Sequence, residues 1–225
     1  MKITLKHQPS YALAIVELGS NEVVKVEPGA MVSMSAGIDI ETKAEGGLFG
    51  GLKRMVAGES FFQNTFTAPS KGGEITLAPA IPGDMIPITL DGSQPFMLQS
   101  GAYIASEQNV VVNSKWGGAK GFFGSGSLVL LQCTGHGQML AGCYGAVEER
   151  NLTQGEQYVV DTGHIIGFEG SIDFKVKKVG GWKSTLLSGE GLICELTGPG
   201  RVLMQTRSEQ AFVSWLTPKM PKSTN

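Results

Sequence analysis

The sequence carries little charge. Lys, Arg, Asp and Glu make up 17% of its 225 residues, against about 25% in an ordinary soluble domain. The net charge is −2 at neutral pH. A basic excess or a basic stripe is absent, which argues against a chain that grips nucleic acid through its phosphates. The densest basic group, Lys175, Lys177 and Lys178, alternates with apolar residues and reads as the solvated face of a strand. Histidine is scarce as well. His7, His136 and His164 have no sequence-local ligand pair, and zinc needs three or four converging ligands. No metal and no cofactor is expected. His164 lies three residues after Asp161 and is placed to hydrogen-bond it. Cys133, Cys143 and Cys194 are odd in number and contain no C-x-x-C pair, so reduced thiols in a cytoplasmic protein are expected. No apolar run approaches the ~20 residues of a membrane-spanning helix, and the start lacks the apolar core of a signal peptide.

Glycine, by contrast, is abundant. There are 32 in the chain, about twice the usual share of roughly 7%. Many glycines and few charges suit short strands joined by tight turns. They also suit a surface that another subunit covers.

The glycines recur in order. PGAMVSMSAGIDIETKAEGG from Pro28, SGAYIASEQNVVVNSKWGG from Ser100 and TGHIIGFEGSIDFKVKKVGG from Thr162 align on Gly29, Gly101 and Gly163. Ile38-Asp39-Ile40, Val110-Val111-Val112 and Ile172-Asp173-Phe174 then coincide. Double glycines follow at Gly46-Gly47, Gly117-Gly118 and Gly180-Gly181, and a further turn and strand begins at each of Gly73, Gly137 and Gly200. The pattern predicts an all-β chain of three internal repeats, at approximately 11–80, 84–142 and 145–207. Each holds about six short antiparallel strands. Segments such as Met85–Leu90, Phe96–Gln99, Ser127–Cys133 and Gly137–Ala141 are short, apolar and bounded by turn residues. Ser127–Cys133 reads as buried on both faces. A repeat this short holds little core alone, so the three are expected to share one core and hide their edges. Residues 208–225 form a short helix and tail, with Ser208 capping Glu209–Leu216 and Pro218 stopping it.

The stretch EGGLFGGLKRMVAGESFFQNTFTA, together with PGAMVSMS, resembles the mitochondrial biogenesis family named for altered inheritance of mitochondria. The resemblance covers nearly the whole chain. It implies a sandwich or double-stranded β-helix-like domain, related in fold to the tryptophan RNA-binding attenuation protein. It also implies a homotrimer, and it supplies no catalytic residue to carry over. Fungal relatives are associated with the mitochondrial inner membrane. The start of this chain is neither Arg-rich nor Ser-rich, so a bacterial cytoplasmic protein is the expectation.

Tests for chemistry come out empty. Gly46 and Gly51 have phosphate-loop spacing, but Leu52 stands where that loop needs lysine and Arg54 where it needs Ser or Thr. Gly124-Ser125-Gly126 lacks the third glycine of a dinucleotide fingerprint. Ser60 lacks the second glycine of a nucleophile elbow. Cys143 has no sequence-local base. The paired histidines and glutamate of a cupin metal site are missing. No catalytic residue is assigned.

Two readings remain for the double-glycine loops. In one they are hairpin crossings whose apolar residues pack against the protein. In the other, Leu48, Phe49, Leu52, Phe122, Phe123 and Trp182 form an apolar patch beside Lys53 and Arg54, facing an anionic membrane or a protein partner. The function expected is a non-enzymatic homo-oligomeric scaffold. The alternative is a small-ligand or RNA binder, by analogy with the attenuation protein.

Overall fold

The computed structural model describes residues 1–43, 63–113, 128–178 and 192–221. Among them the regular structure is mostly antiparallel strand. The first stretch holds β1 (Lys2–Lys6), β2 (Leu13–Leu18), β3 (Val23–Val26), β4 (Met31–Met34), β5 (Asp39–Lys43), β6 (Gln63–Thr67) and β7 (Gly73–Leu77). Next come β8 (Met85–Asp91), β9 (Phe96–Gln99), β10 (Tyr103–Glu107), β11 (Val110–Asn113) and β12 (Leu130–Gly142). The last set is β13 (Val147–Leu152), β14 (Gln157–Asp161), β15 (Ile165–Glu169), β16 (Asp173–Lys178), β17 (Leu192–Thr197) and β18 (Gly200–Gln205). One α-helix, α1 (Glu209–Leu216), follows.

The strands pair by one scheme. β2 and β4 flank β7, while β3 and β5 flank β6. Likewise β13 and β15 flank β18, while β14 and β16 flank β17. In the middle set β12 takes both parts. Its first half lies between β9 and β11, and its second half between β8 and β10. Two joints link the sets: β3 pairs β10, and β9 pairs β15.

The turn expected at Gly137 is therefore not there. β12 runs through it without reversing, from Leu130 to Gly142. Gly135 and Gly137 instead take positive φ, +96° and +140°. They bend one strand so that its two halves serve different partners. A Cβ on Gly135 would lie 2.2 Å from the Asn109 carbonyl oxygen, so the bend requires glycine.

Side-chain alternation places the core. β2 and β3 bury every second residue, Ala14, Val16 and Leu18, then Val24 and Val26. Of Ser127–Cys133, expected to be buried on both faces, Leu130, Leu131 and Cys133 are buried, Leu128, Val129 and Gln132 are half-buried, and Ser127 lies outside the described residues. The apolar interior falls into three clusters rather than the single shared core expected. Phe66, Ile75 and Leu77 anchor the first, Leu98, Tyr103 and Leu131 the second, Phe168, Leu196 and Val202 the third. The joints tie them together: Ile104 and Leu140 pack into the first cluster, Ile166 and Leu203 into the second. Contacts outside the joints also cross between sets, as from the Gln8 side-chain amide to the Asp84 carboxylate and from Lys25 Nζ to the Val110 carbonyl.

Tyr103 is the one fully buried tyrosine among the described residues. Its hydroxyl faces the Ser106 hydroxyl at 2.8 Å, donates to the Lys25 carbonyl at 3.2 Å and accepts from Gln63 Nε2 at 2.6 Å. Burial pushes its pKa well up. Tyr103→Phe is expected to cost about 1–3 kcal/mol, because the fully buried Ser106 hydroxyl loses the phenol it faces. Urea denaturation of the two proteins measures this.

The C-terminal helix forms where the sequence placed it. The Ser208 hydroxyl accepts the Ala211 N–H at 3.4 Å, and Pro218 sits in the 3-10 turn Thr217–Lys219 that ends it.

Candidate functional site

Leu48, Phe49, Leu52, Lys53, Arg54, Phe122, Phe123 and Trp182 all lie outside the described residues, as do Ser60 and the three double glycines. The other sequence candidates are placed. Asp39 and Asp173 are exposed at the starts of β5 and β16. Lys175, Lys177 and Lys178 are exposed, and Lys177 pairs with Glu195 at 2.5 Å. His164 does not bond Asp161. Its Nδ1 contacts the Gln205 carbonyl at 2.7 Å, while the Asp161 carboxylate accepts the Gly163 N–H at 2.7 Å. The 3-10 turn Thr162–His164 turns the imidazole away from Asp161 and toward the end of β18.

The thiols are inert. Cys133, Cys143 and Cys194 are free and buried. Burial pushes them up to about 12, about 11 and about 12 respectively. The Cys143 thiol donates to the Gly145 carbonyl at 3.4 Å. The Asp84 backbone favours the Cys143 thiolate, and burial outweighs it. Among the described residues no group of three or more His, Cys, Asp or Glu side chains converges as a metal site would require.

A cleft opens where α1 begins. It has two lobes, of about 310 and 210 Å³, that share Gln99, Gln205 and Glu209. The smaller also reaches Glu27, Ile104 and Cys143. Gln205 is held firmly: its side-chain amide donates to the Gly163 carbonyl at 2.9 Å and its amide oxygen accepts the Tyr144 N–H at 2.9 Å. Glu27, just past the end of β3, is raised to about 7 by burial, and Glu209 across the cleft adds to the rise. The cleft thus holds one carboxyl near neutrality and fixed amides. It offers hydrogen bonds, and its lining includes the buried Cys143 thiol and the Ser208 hydroxyl. Sequence reading missed it because Glu27 and Glu209 stand at opposite ends of the chain. The only local signal is an acidic residue directly before the Pro28-Gly29 turn.

Two described surfaces are apolar and uncovered. All four residues of β4 are exposed, Val32 to 58%. The helix α1 buries no residue. Phe212 stacks on Trp215, with Tyr144 at its edge, yet Trp215 remains 59% exposed.

Residues 3–207 match the family described as mitochondrial biogenesis AIM24. The chain belongs to that family. Along its full length this AIM24-family chain is 28% identical, over 236 aligned residues, to an uncharacterized protein of Streptococcus pyogenes serotype M6, covering 93% of that relative. Its fold is that of a Streptococcus pyogenes protein solved by X-ray crystallography. The TM-score is 0.83 at 23% identity, with 97% of this chain and 99% of the other covered.

Glu27 gives the AIM24-family chain a pH-dependent stability. A carboxyl raised in the folded state holds its proton more tightly there than in the unfolded chain. Its contribution is full below its ordinary value of 4.5 and is lost as pH rises through about 7. Glu27→Gln cannot lose a proton. The variant is therefore expected to gain on the wild type steadily between pH 4.5 and 7. Urea midpoints of both proteins at pH 4.5, 6 and 8 check this, and a constant difference between them would refute it.

Proposed function

We propose that this AIM24-family chain is a non-catalytic, homo-oligomeric scaffold of the cytoplasm, built of three repeats and assembled as a trimer, that presents apolar surface to a protein partner or a membrane. The observation that carries this reading is the uncovered apolar surface of α1, where Trp215 is 59% exposed and no residue is buried. Clustered apolar side chains left in water mark a place where something binds. The low charge supports it, since a charge-poor surface favours association and closed rotational symmetry is its usual outcome.

The double-glycine loops are the proposed contact, with Leu48, Phe49, Leu52, Phe122, Phe123 and Trp182 meeting the partner or the acyl region and Lys53 and Arg54 meeting anionic groups. The test begins with the solution mass of the full chain, followed by flotation with vesicles of anionic phospholipid and by affinity capture. A trimer whose flotation or captured partner is lost in Phe49→Ser plus Phe123→Ser, with its mass unchanged, is the expected result. An unchanged interaction profile in that variant rejects the loops as the contact.

A further inference from the structure

Among the described residues, two strand edges stand open at places where the fold fills the equivalent edges. β10 is paired on both sides, by β12 and β3. β15 is too, by β18 and β9. Among the described strands β4 is paired only by β7 and ends its sheet. On the complementary side, β3 lies between β6 and β10, and β9 between β12 and β15. β14 is paired only by β17 and ends its sheet.

The equivalence of these strands rests on register. Each of β4, β10 and β15 breaks register with its inner neighbour after the first residue, between Met31 and Ser33, Tyr103 and Ala105, Ile165 and Gly167. Burial separates them. The first four residues of β10 and of β15 are all buried, and all four of β4 are exposed. Met31-Val32-Ser33-Met34 is as apolar as its counterparts and lacks only a neighbour. Across the gap, Val159 in the middle of β14 is 54% exposed.

We infer that the β4 edge of one copy pairs antiparallel with the β14 edge of a second copy, repeating between chains the joint that the fold makes twice within one. The register follows from the two existing joints. Ala105 faces Val26 and Ser106 faces Lys25 in the first; Gly167 faces Leu98 and Phe168 faces Met97 in the second. Carried over, Ser33 faces Val160 and Met34 faces Val159. The contact joins unlike edges, head to tail, so every added copy leaves one β4 and one β14 edge until a ring closes. Backbone ladder bonds supply the adhesion and remove two sticky edges. Met31, Val32 and Val159 leave water on pairing. This inference rests on the reading of the chain as a self-assembling scaffold and names the surface that assembles it.

Single-cysteine substitutions test it in the full chain, since the three native thiols are buried. Met34→Cys and Val159→Cys proteins are prepared separately, mixed, dissociated and reassociated, then oxidised with diamide. A disulfide-linked dimer is expected from the mixture and from neither protein alone. Linkage of Met34→Cys to itself overturns the head-to-tail pairing, and so does an assembled mixture with no linkage. In the second case the scaffold reading survives. A wild-type chain that is monomeric at all concentrations defeats both. A second variant, Met34→Lys plus Val159→Lys, alters only side chains exposed within one copy. It is expected to keep the wild-type melting profile of the isolated chain and to weaken self-association by about tenfold or more. Unchanged mass at matched concentrations rejects the edge.

Discussion

Gly83→Ala is expected to be the most damaging small substitution in the chain. A Cβ at this position would stand 1.7 Å from the carbonyl oxygen of Cys143 and 2.8 Å from its carbon. Both are backbone atoms, so no side chain can swing aside. The crossing is tied from several directions. Gly83 forms a parallel bridge with Gly145, and its carbonyl accepts the Ala12 N–H at 2.9 Å. The Asp84 N–H donates to the Gly145 carbonyl at 2.8 Å, and the Cys143 N–H to the Asp84 carbonyl at 3.0 Å. Moving either strand apart breaks this ladder between the start of β8 and the end of β12. A loss of at least about 3 kcal/mol is expected, at the upper end of overpacking costs. Gly29→Ala is the control. Its φ is +90° but its Cβ would meet nothing within 4 Å, so only backbone strain of about 1–2 kcal/mol is expected. Guanidinium denaturation of both variants separates crowding from strain, and equal losses would contradict the steric account.

Phe168→Ala is the second large effect. Phe168 is fully buried in β15, with the Phe174 ring 5.0 Å away, and it faces Met97 across the β9–β15 joint. Removing the ring takes away its transfer energy and leaves a cavity that strands pinned on both sides cannot close, costing about 3–5 kcal/mol. For a chain of this size each kcal/mol lowers the melting temperature by about 2–4 °C. A fall of roughly 6–20 °C is therefore expected in calorimetry. Phe168→Leu keeps most of the volume and is expected to lose less than half as much. A melting point within 3 °C of wild type for Phe168→Ala would show that the third cluster is not held through this residue.

The joint at Phe168 also shows how much of the fold the sequence carries. Strand positions such as Phe96–Gln99, the Ser208 cap and the solvated lysines of β16 follow from local patterns, and each is found in place. A cap needs three neighbouring residues, and an alternating face needs one strand. The turn at Gly137 failed for the converse reason. Glycine there answers to Glu107 and Val110 crowding against it, and those neighbours arrive only when β10 and β11 pack on β12. His164 likewise found a partner on β18, a strand that local spacing does not reveal.

By itself, then, the sequence determined most of the strands and their turns, the helix cap, and the alternation that decides which face of a strand is buried. These depend on side-chain chemistry within a few residues. Only the tertiary structure decided which edges are covered. Met31–Met34 reads like Tyr103–Ser106 and Ile165–Phe168, yet it alone is left in water. The difference lies in the presence of a pairing strand, which is a property of the assembled sheets. Tertiary structure also brought Glu27 to face Glu209, because a carboxyl's proton affinity is set by the burial and charge around it, and those come from opposite ends of the chain.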